Sequence, residues 1–417
     1  MAAAHDPPRL KSMSTRKKKP RVALALAGGG PLGAIYEIGA LCALEEALDG
    51  VNFGNLDAYV GVSAGGFIAA ALANGLSPRE ICASFIENVG AEHDVFKPSV
   101  LIRPAWGEIA KRLASVPVLA AQASYRYLFL RRSLSSAFER LGRALPAGFF
   151  SNDMIDVQLR RQFSAPGRTN DFRELKRKLV LVATDLDSGD PAPFGQPGFD
   201  HVPISKAVQA SAALPGLFPP VEIDGRYYVD GALKKTLHAS VLLEDNVDLL
   251  ICLNPLVPFN SSASPQHRVL SSGEERIPKL VDGGLPVVLS QTFRTMIHSR
   301  LELGMKAYER NHPDTTIILF EPDQRDPEMF LANTFSYSQR RALAEHAYQK
   351  TRQMLRSRRS ELSAKLAPHG VRINDEVLDD RKRTLLRRRV PRTRGAWALK
   401  RLESTLYDLE RALAMRN

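Results

Sequence analysis

Along the first 255 residues the apolar positions switch between unbroken runs and a three- or four-residue spacing, and each switch marks an element. Val22 to Ala27 is a continuous apolar run, as expected of a strand buried on both faces of a parallel sheet. Glycines at 28, 29, 30 and 33 follow. Ile35, Ile38, Leu41, Leu44 and Leu48 then recur at helical spacing, which predicts a helix with one apolar stripe. Ala58 to Val62 is a second strand, and the helix after it ends near Asn74-Gly75. Ser77-Pro78-Arg79-Glu80 opens a further helix, with Ser77 as N-cap, proline at the first helical position and Glu80 closing a capping box. Strand and helix alternate, which is the signature of an α/β sheet.

Residues 94–150 break this rhythm: Val100-Leu101-Ile102, Trp106, Val116 to Ala121 and Tyr125 to Leu130 lie among Arg and Lys. That mixture fits a helical subdomain packed on the core or an interfacial lid. Lys178 to Asp185 supplies another strand, Ile204 to Ala213 a short helix stopped by Leu214-Pro215-Gly216, and Val221 to Val229 a hairpin turning at Asp224-Gly225. Leu249 to Leu253 is a strand, residues 254–285 read as a long loop, Val287 to Arg310 as a helix and Thr315 to Phe320 as a last strand. Helices dominate beyond, ending with Leu399, Leu402, Leu406, Leu409 and Leu413 on one stripe. The expected organisation is a basic, disordered segment over residues 1–20, an α/β domain over 21–325 and a basic helical region over 326–417.

Charge sharpens this division. The chain of 417 residues carries a net +12, yet residues 1–21 hold +6 and residues 352–417 hold +10, so the body between them is mildly acidic. Basic ends attract anionic surfaces such as phospholipid headgroups, and they also serve as solvated tails; nucleic acid is not an expected partner. Cys42, Cys82 and Cys252 are widely spaced in apolar runs, which reads as reduced core thiols in a cytoplasmic protein and not as a metal site or disulfide framework. The basic Arg16 to Arg21 stretch is followed by only six apolar residues before the glycines, short of the ~7–15 of a signal-peptide core. No run reaches the ~18 residues expected of a membrane span, so a soluble or peripheral protein is expected.

The candidate chemistry centres on Gly61-Val62-Ser63-Ala64-Gly65, a serine bracketed by glycines between a strand and a helix. This is the spacing of a nucleophile elbow, in which a sharp turn exposes the hydroxyl at the strand's C-terminal edge over a helix N-terminus. Gly28-x-Gly30-x-x-Gly33 also satisfies a dinucleotide-binding fingerprint, but that reading needs an acidic residue at the tip of the next strand, where Ser63 stands instead. Consecutive glycine amides beside a nucleophile have another use, as an oxyanion hole.

Four stretches occur together in order: the strand ending in Gly28-Gly29-Gly30-Pro31-Leu32-Gly33, the serine elbow, Ser211-Ala-Ala-Leu-Pro-Gly-Leu-Phe-Pro-Pro220, and Asp230-Gly231-Ala232. In this the chain resembles the patatin-like phospholipases over about residues 21–255. The resemblance implies a three-layer α/β/α fold with a mostly parallel central sheet, and hydrolysis of acyl esters of phospholipids or lysophospholipids by a Ser-Asp dyad, with no metal and no cofactor. Carried over by position, Ser63 is the nucleophile, Asp230 its base, and Gly28, Gly29 and Gly30 supply oxyanion amides. Gly33, Gly61, Gly65 and Gly231 support the motifs. An aspartate serving this way must be partly desolvated and in hydrogen-bond contact with Ser63. Two departures are visible. Leu32 replaces the basic residue usual before the loop's last glycine, and Ala232 to His238 replaces an Asn- and Pro-containing stretch, so neutral acylglycerols or other esters stay open as substrates. The competing readings are a Ser-Asp-His triad using His238 or His267, each placed by its context at the surface or in a loop, and a non-catalytic membrane-associated scaffold. His298 is read as a packed helical side chain.

Overall fold

The computed structural model describes residues 19–90, 95, 103–129, 144–260, 279–331 and 339–386. In chain order its main elements are β1 (Val22–Leu26), α1 (Gly30–Ala47), β2 (Leu48–Asp49), β3 (Ala58–Gly61), α2 (Ala64–Ala73), α3 (Pro78–Ile81), α4 (Trp106–Phe129), α5 (Asp153–Phe163), β4 (Lys178–Asp185), β5 (Pro191–Phe194) and α6 (Ile204–Ser211). They continue with β6 (Val221–Ile223), β7 (Arg226–Asp230), α7 (Ser240–Leu243), β8 (Leu249–Leu253), α8 (Gly284–Asn311), β9 (Thr316–Phe320), α9 (Pro327–Leu331), α10 (Arg340–Ser357), α11 (Arg359–Leu366), β10 (Arg372–Ile373) and α12 (Asp375–Asp379).

The central sheet runs β6-β7-β4-β3-β1-β8-β9, with β5 paired to β4. Its five middle strands, β4 to β9 in that order, are parallel, while β5, β6 and β7 pair antiparallel at one side. Side chains alternate between two cores, as strand geometry requires. Leu24, Leu26, Tyr59, Leu181 and Ile251 face α1, α2, α6 and α10, whereas Ala23, Ala25, Val60, Val182 and Cys252 face α7 and α8. The result is the expected three-layer α/β/α architecture. From β1 the chain steps to β3 on one side, and β8 later takes the other side, so the strand order reverses at β1, and open α/β sheets bind ligands outside the C-terminal strand ends at such a point.

Several local readings hold. The capping box at Ser77 and Glu80 is formed, and the hairpin turns at Asp224 and Gly225, both at positive φ. All three cysteines are buried and free. The helix after the glycine loop differs. It starts at Gly30, before Gly33, and is buried on nearly every side because α10 covers the face away from the sheet. There the two backbones approach closely, and a Cβ on Gly39 would lie 2.4 Å from the Ala344 carbonyl oxygen. Leu343, Ala344, Ala347, Tyr348 and Leu355 thereby join the same core as β1. The apolar runs at 116–121 and 125–130 share one helix, α4, up to Phe129, with Pro117 inside it. The N-terminal segment to residue 18, most of the 254–285 loop and the leucine stripe at 399–413 lie outside the described residues. No helix among the described residues is long and apolar enough to cross a membrane.

Candidate active site

The sharpest backbone feature lies where β3 meets α2. Ser63 has φ 53° and ψ −123°, a conformation that costs an ordinary side chain about 1–3 kcal/mol and is tolerated where the surroundings enforce it. The elbow is crowded. A Cβ on Gly61 would lie 2.6 Å from the Gly65 carbonyl oxygen, and one on Gly65 would lie 2.5 Å from that of Ala27. The Ser63 carbonyl accepts the amides of Gly66 and Phe67, and its own amide donates to Ser211 Oγ at 2.8 Å. The hydroxyl is left to face Asp230 at the strand edge.

Asp230 ends β7. Its amide donates to the Ala213 carbonyl at 3.0 Å, its Oδ1 accepts the Ala232 amide at 2.9 Å, and its carboxyl lies near enough to the Ser63 side chain for that hydroxyl to pull its pKa down. At 3% exposure the carboxyl is almost stripped of water. Burial pushes its pKa up to about 6, against the pull of the Ala232 amide and the Ser63 hydroxyl. Such a group is ionised at neutral pH and is a stronger base than an exposed aspartate. Gly231 permits the turn, since a Cβ there would lie 2.2 Å from the Val182 carbonyl oxygen.

The glycine loop approaches from the other side. A Cβ on Gly28 would stand 3.1 Å from Ser63 Cβ and 3.8 Å from its hydroxyl oxygen. Gly29 caps α1 and packs on Pro255, as does Gly33. Gly30, at φ +60°, faces open space. Among the described residues the amides of Gly28, Gly29 and Gly30 have no hydrogen-bond acceptor, so donors at a helix N-terminus are free beside a hydroxyl. Leu32 is buried in the core. The loop therefore carries no cation.

One histidine, His238, departs from expectation. His238 is buried, not at the surface, because the chain after Leu233 turns back under the sheet; its ring nitrogen Nε2 lies 3.4 Å from the Gly231 carbonyl oxygen. Burial lowers its pKa to about 4, so it is neutral. The Asp230 carboxyl meets Ser63 and the Ala232 amide and, among the described residues, no histidine. His298 is packed on α8 and meets Gln324 at 3.0 Å; His267 lies outside the described residues. Among the described residues no three His, Cys, Asp or Glu side chains converge as metal ligands. Two groups escape sequence reasoning. Ser211 bonds the elbow, and Glu37 on α1 is fully buried with no hydrogen-bond partner for either oxygen, its carboxyl held well above the usual range by burial.

A family model described as patatin-like phospholipase matches residues 24–243. An uncharacterized NTE family protein of Mycobacterium bovis is 27% identical over 233 residues, which are 55% of this chain and 30% of that protein. Another, from Mycobacterium tuberculosis (strain CDC 1551 / Oshkosh), is 36% identical over 83 residues, 20% of this chain and 22% of that one. The chain thus spans about a third or less of the length of these relatives. Among solved structures, VipD from Legionella pneumophila aligns over 82% of this chain and 67% of that chain at 16% identity and a TM-score of 0.35.

Proposed function

Since the chain belongs to the patatin-like phospholipase family, we propose that it is a serine acyl hydrolase that cleaves the acyl esters of lipids with Ser63 and Asp230. The observation that carries this reading is the nearness of the Ser63 side chain to a desolvated carboxyl, with the unengaged amides of the glycine loop on the opposite side. Ser63 Oγ attacks the ester carbonyl carbon and its proton passes to Asp230. The carbonyl oxygen gathers negative charge, which the amides of Gly28, Gly29 and Gly30 bind. Asp230 returns the proton to the departing alcohol, leaving an acyl group on Ser63. Water then attacks that ester while Asp230 takes its proton, and the proton returns to Ser63 as the fatty acid leaves.

The substrate class is (lyso)phospholipid or acylglycerol. With Leu32 buried, the loop gives a phosphate no charge partner, and neutral glycerides fall within the class. A lipid surface as the substrate's setting is supported by α8. Leu285, Val288, Leu289, Phe293 and Met296 form an exposed apolar stripe on it, and Arg300 of the same helix donates to the carbonyl of Leu233, close after Asp230. The basic termini would add attraction to anionic headgroups. The test is hydrolysis of a lysophospholipid, a phospholipid and a monoacylglycerol by the wild type, Ser63→Ala and Asp230→Asn. Both variants should fall to background on every substrate that the wild type cleaves, and full activity in either one overturns the assignment.

A further inference from the structure

Ser63 and Asp230 stand at the ends of β3 and β7, and these strands are not neighbours, since β4 runs between them. One short stretch spans the gap. At the end of α6, the Ser211 hydroxyl accepts the Ser63 amide at 2.8 Å and donates to the carbonyl of Val182 on β4 at 2.6 Å. Two residues later the Ala213 carbonyl accepts the Asp230 amide at 3.0 Å. The Val182 carbonyl is also the surface on which the Asp230-Gly231 turn rests. Ser211 is fully buried, so no water competes for either bond.

We propose that Ser211 is a positioning residue: its hydroxyl locks the elbow in the conformation that aims Ser63 at Asp230, and the end of α6 sets the distance between the two. The proposal rests on the reading of Ser63 as nucleophile. A hydroxyl is needed because one group must accept from Ser63 and donate to Val182 at once, which alanine cannot do and a thiol does weakly. The Ser63 amide is then committed to Ser211, which leaves the oxyanion to the glycine loop.

The test compares wild type with Ser211→Ala, Ser211→Thr and Ser211→Cys on a soluble short-chain nitrophenyl ester, with active sites counted by a fluorophosphonate probe. A residue that only stabilised the fold would lower the number of titratable sites and leave kcat per site unchanged. Positioning predicts that Ser211→Ala loses about 10- to 100-fold in kcat per titrated site, the scale of a sub-ångström to 1 Å misplacement, with KM within twofold. Ser211→Thr, which keeps the hydroxyl, should recover most of it. Should Ser211→Ala give no folded protein, Ser211→Cys decides, and kcat per site must still fall at least fivefold. Wild-type kcat per site in Ser211→Ala, or in Ser211→Cys if that variant decides, overturns the proposal. Labelling that persists in Ser63→Ala would instead overturn the reading of the nucleophile.

Discussion

Replacing Asp230 with asparagine should make the protein inactive and, at neutral and alkaline pH, more stable. The carboxyl pKa rises from 3.8 to about 6 because burial outweighs the Ala232 amide and the Ser63 hydroxyl. A raised folded-state pKa means that the folded chain holds its proton more tightly than the unfolded chain. That contribution is fully present below the unfolded pKa near 4 and is lost as pH rises through about 6. A rise of this size corresponds to about 3 kcal/mol at most. Asp230→Asn removes the cost of ionising the buried group, so urea unfolding should show the variant gaining up to about 3 kcal/mol on wild type at pH 8 and little at pH 4. Activity follows the same titration in the opposite sense. In the wild type, log kcat/KM on a soluble ester should fall with unit slope below pH 6, to about a tenth of its plateau at pH 5. A histidine base at position 238 would instead give a midpoint near 4, where burial places that imidazole. A pH profile flat down to 4.5, or an Asp230→Asn protein less stable than wild type at pH 8, would refute the reasoning.

Gly28→Ala keeps the amide but puts a methyl 3.0 Å from Ala232 Cβ and 3.1 Å from Ser63 Cβ; the loop must shift, and kcat should fall about 100-fold with folding retained, as read by steady-state kinetics and thermal melting. Glu37→Gln removes a buried carboxyl whose raised pKa makes it a growing liability as pH rises. Its gain in melting temperature over wild type should therefore be larger at pH 8 than at pH 5, and an equal or smaller gain at pH 8 contradicts this. Leu289→Asp with Phe293→Asp, on the exposed stripe of α8, should cut hydrolysis of phospholipid vesicles at least fivefold while leaving a soluble ester within twofold; equal loss on both would place the effect in the fold.

Much of this architecture was legible because single strands carry their own signal. The runs at Val22, Ala58, Lys178, Leu249 and Thr316 became the five parallel strands, since strands buried on both faces must be apolar throughout. Ser63 was legible because the elbow needs glycine on both sides. What stayed hidden depends on contacts between distant segments. α1 read as a helix with one apolar stripe because nothing local shows that α10, some 300 residues later, covers its other face and meets Gly39 through Ala344. His238 follows Lys234 and Lys235, a surface-like context, yet the backbone turns it inward against Gly231. The part played by Ser211 requires knowing that α6 ends over β4 between the elbow and β7.

Acylation of Ser63 is the step on which the rest depends. Incubating the protein with a fluorophosphonate probe, digesting it and mapping the adduct by mass spectrometry should place the label on the peptide containing Ser63, at one label per chain, with none in Ser63→Ala. A label on another residue, or undiminished labelling in Ser63→Ala, would contradict it.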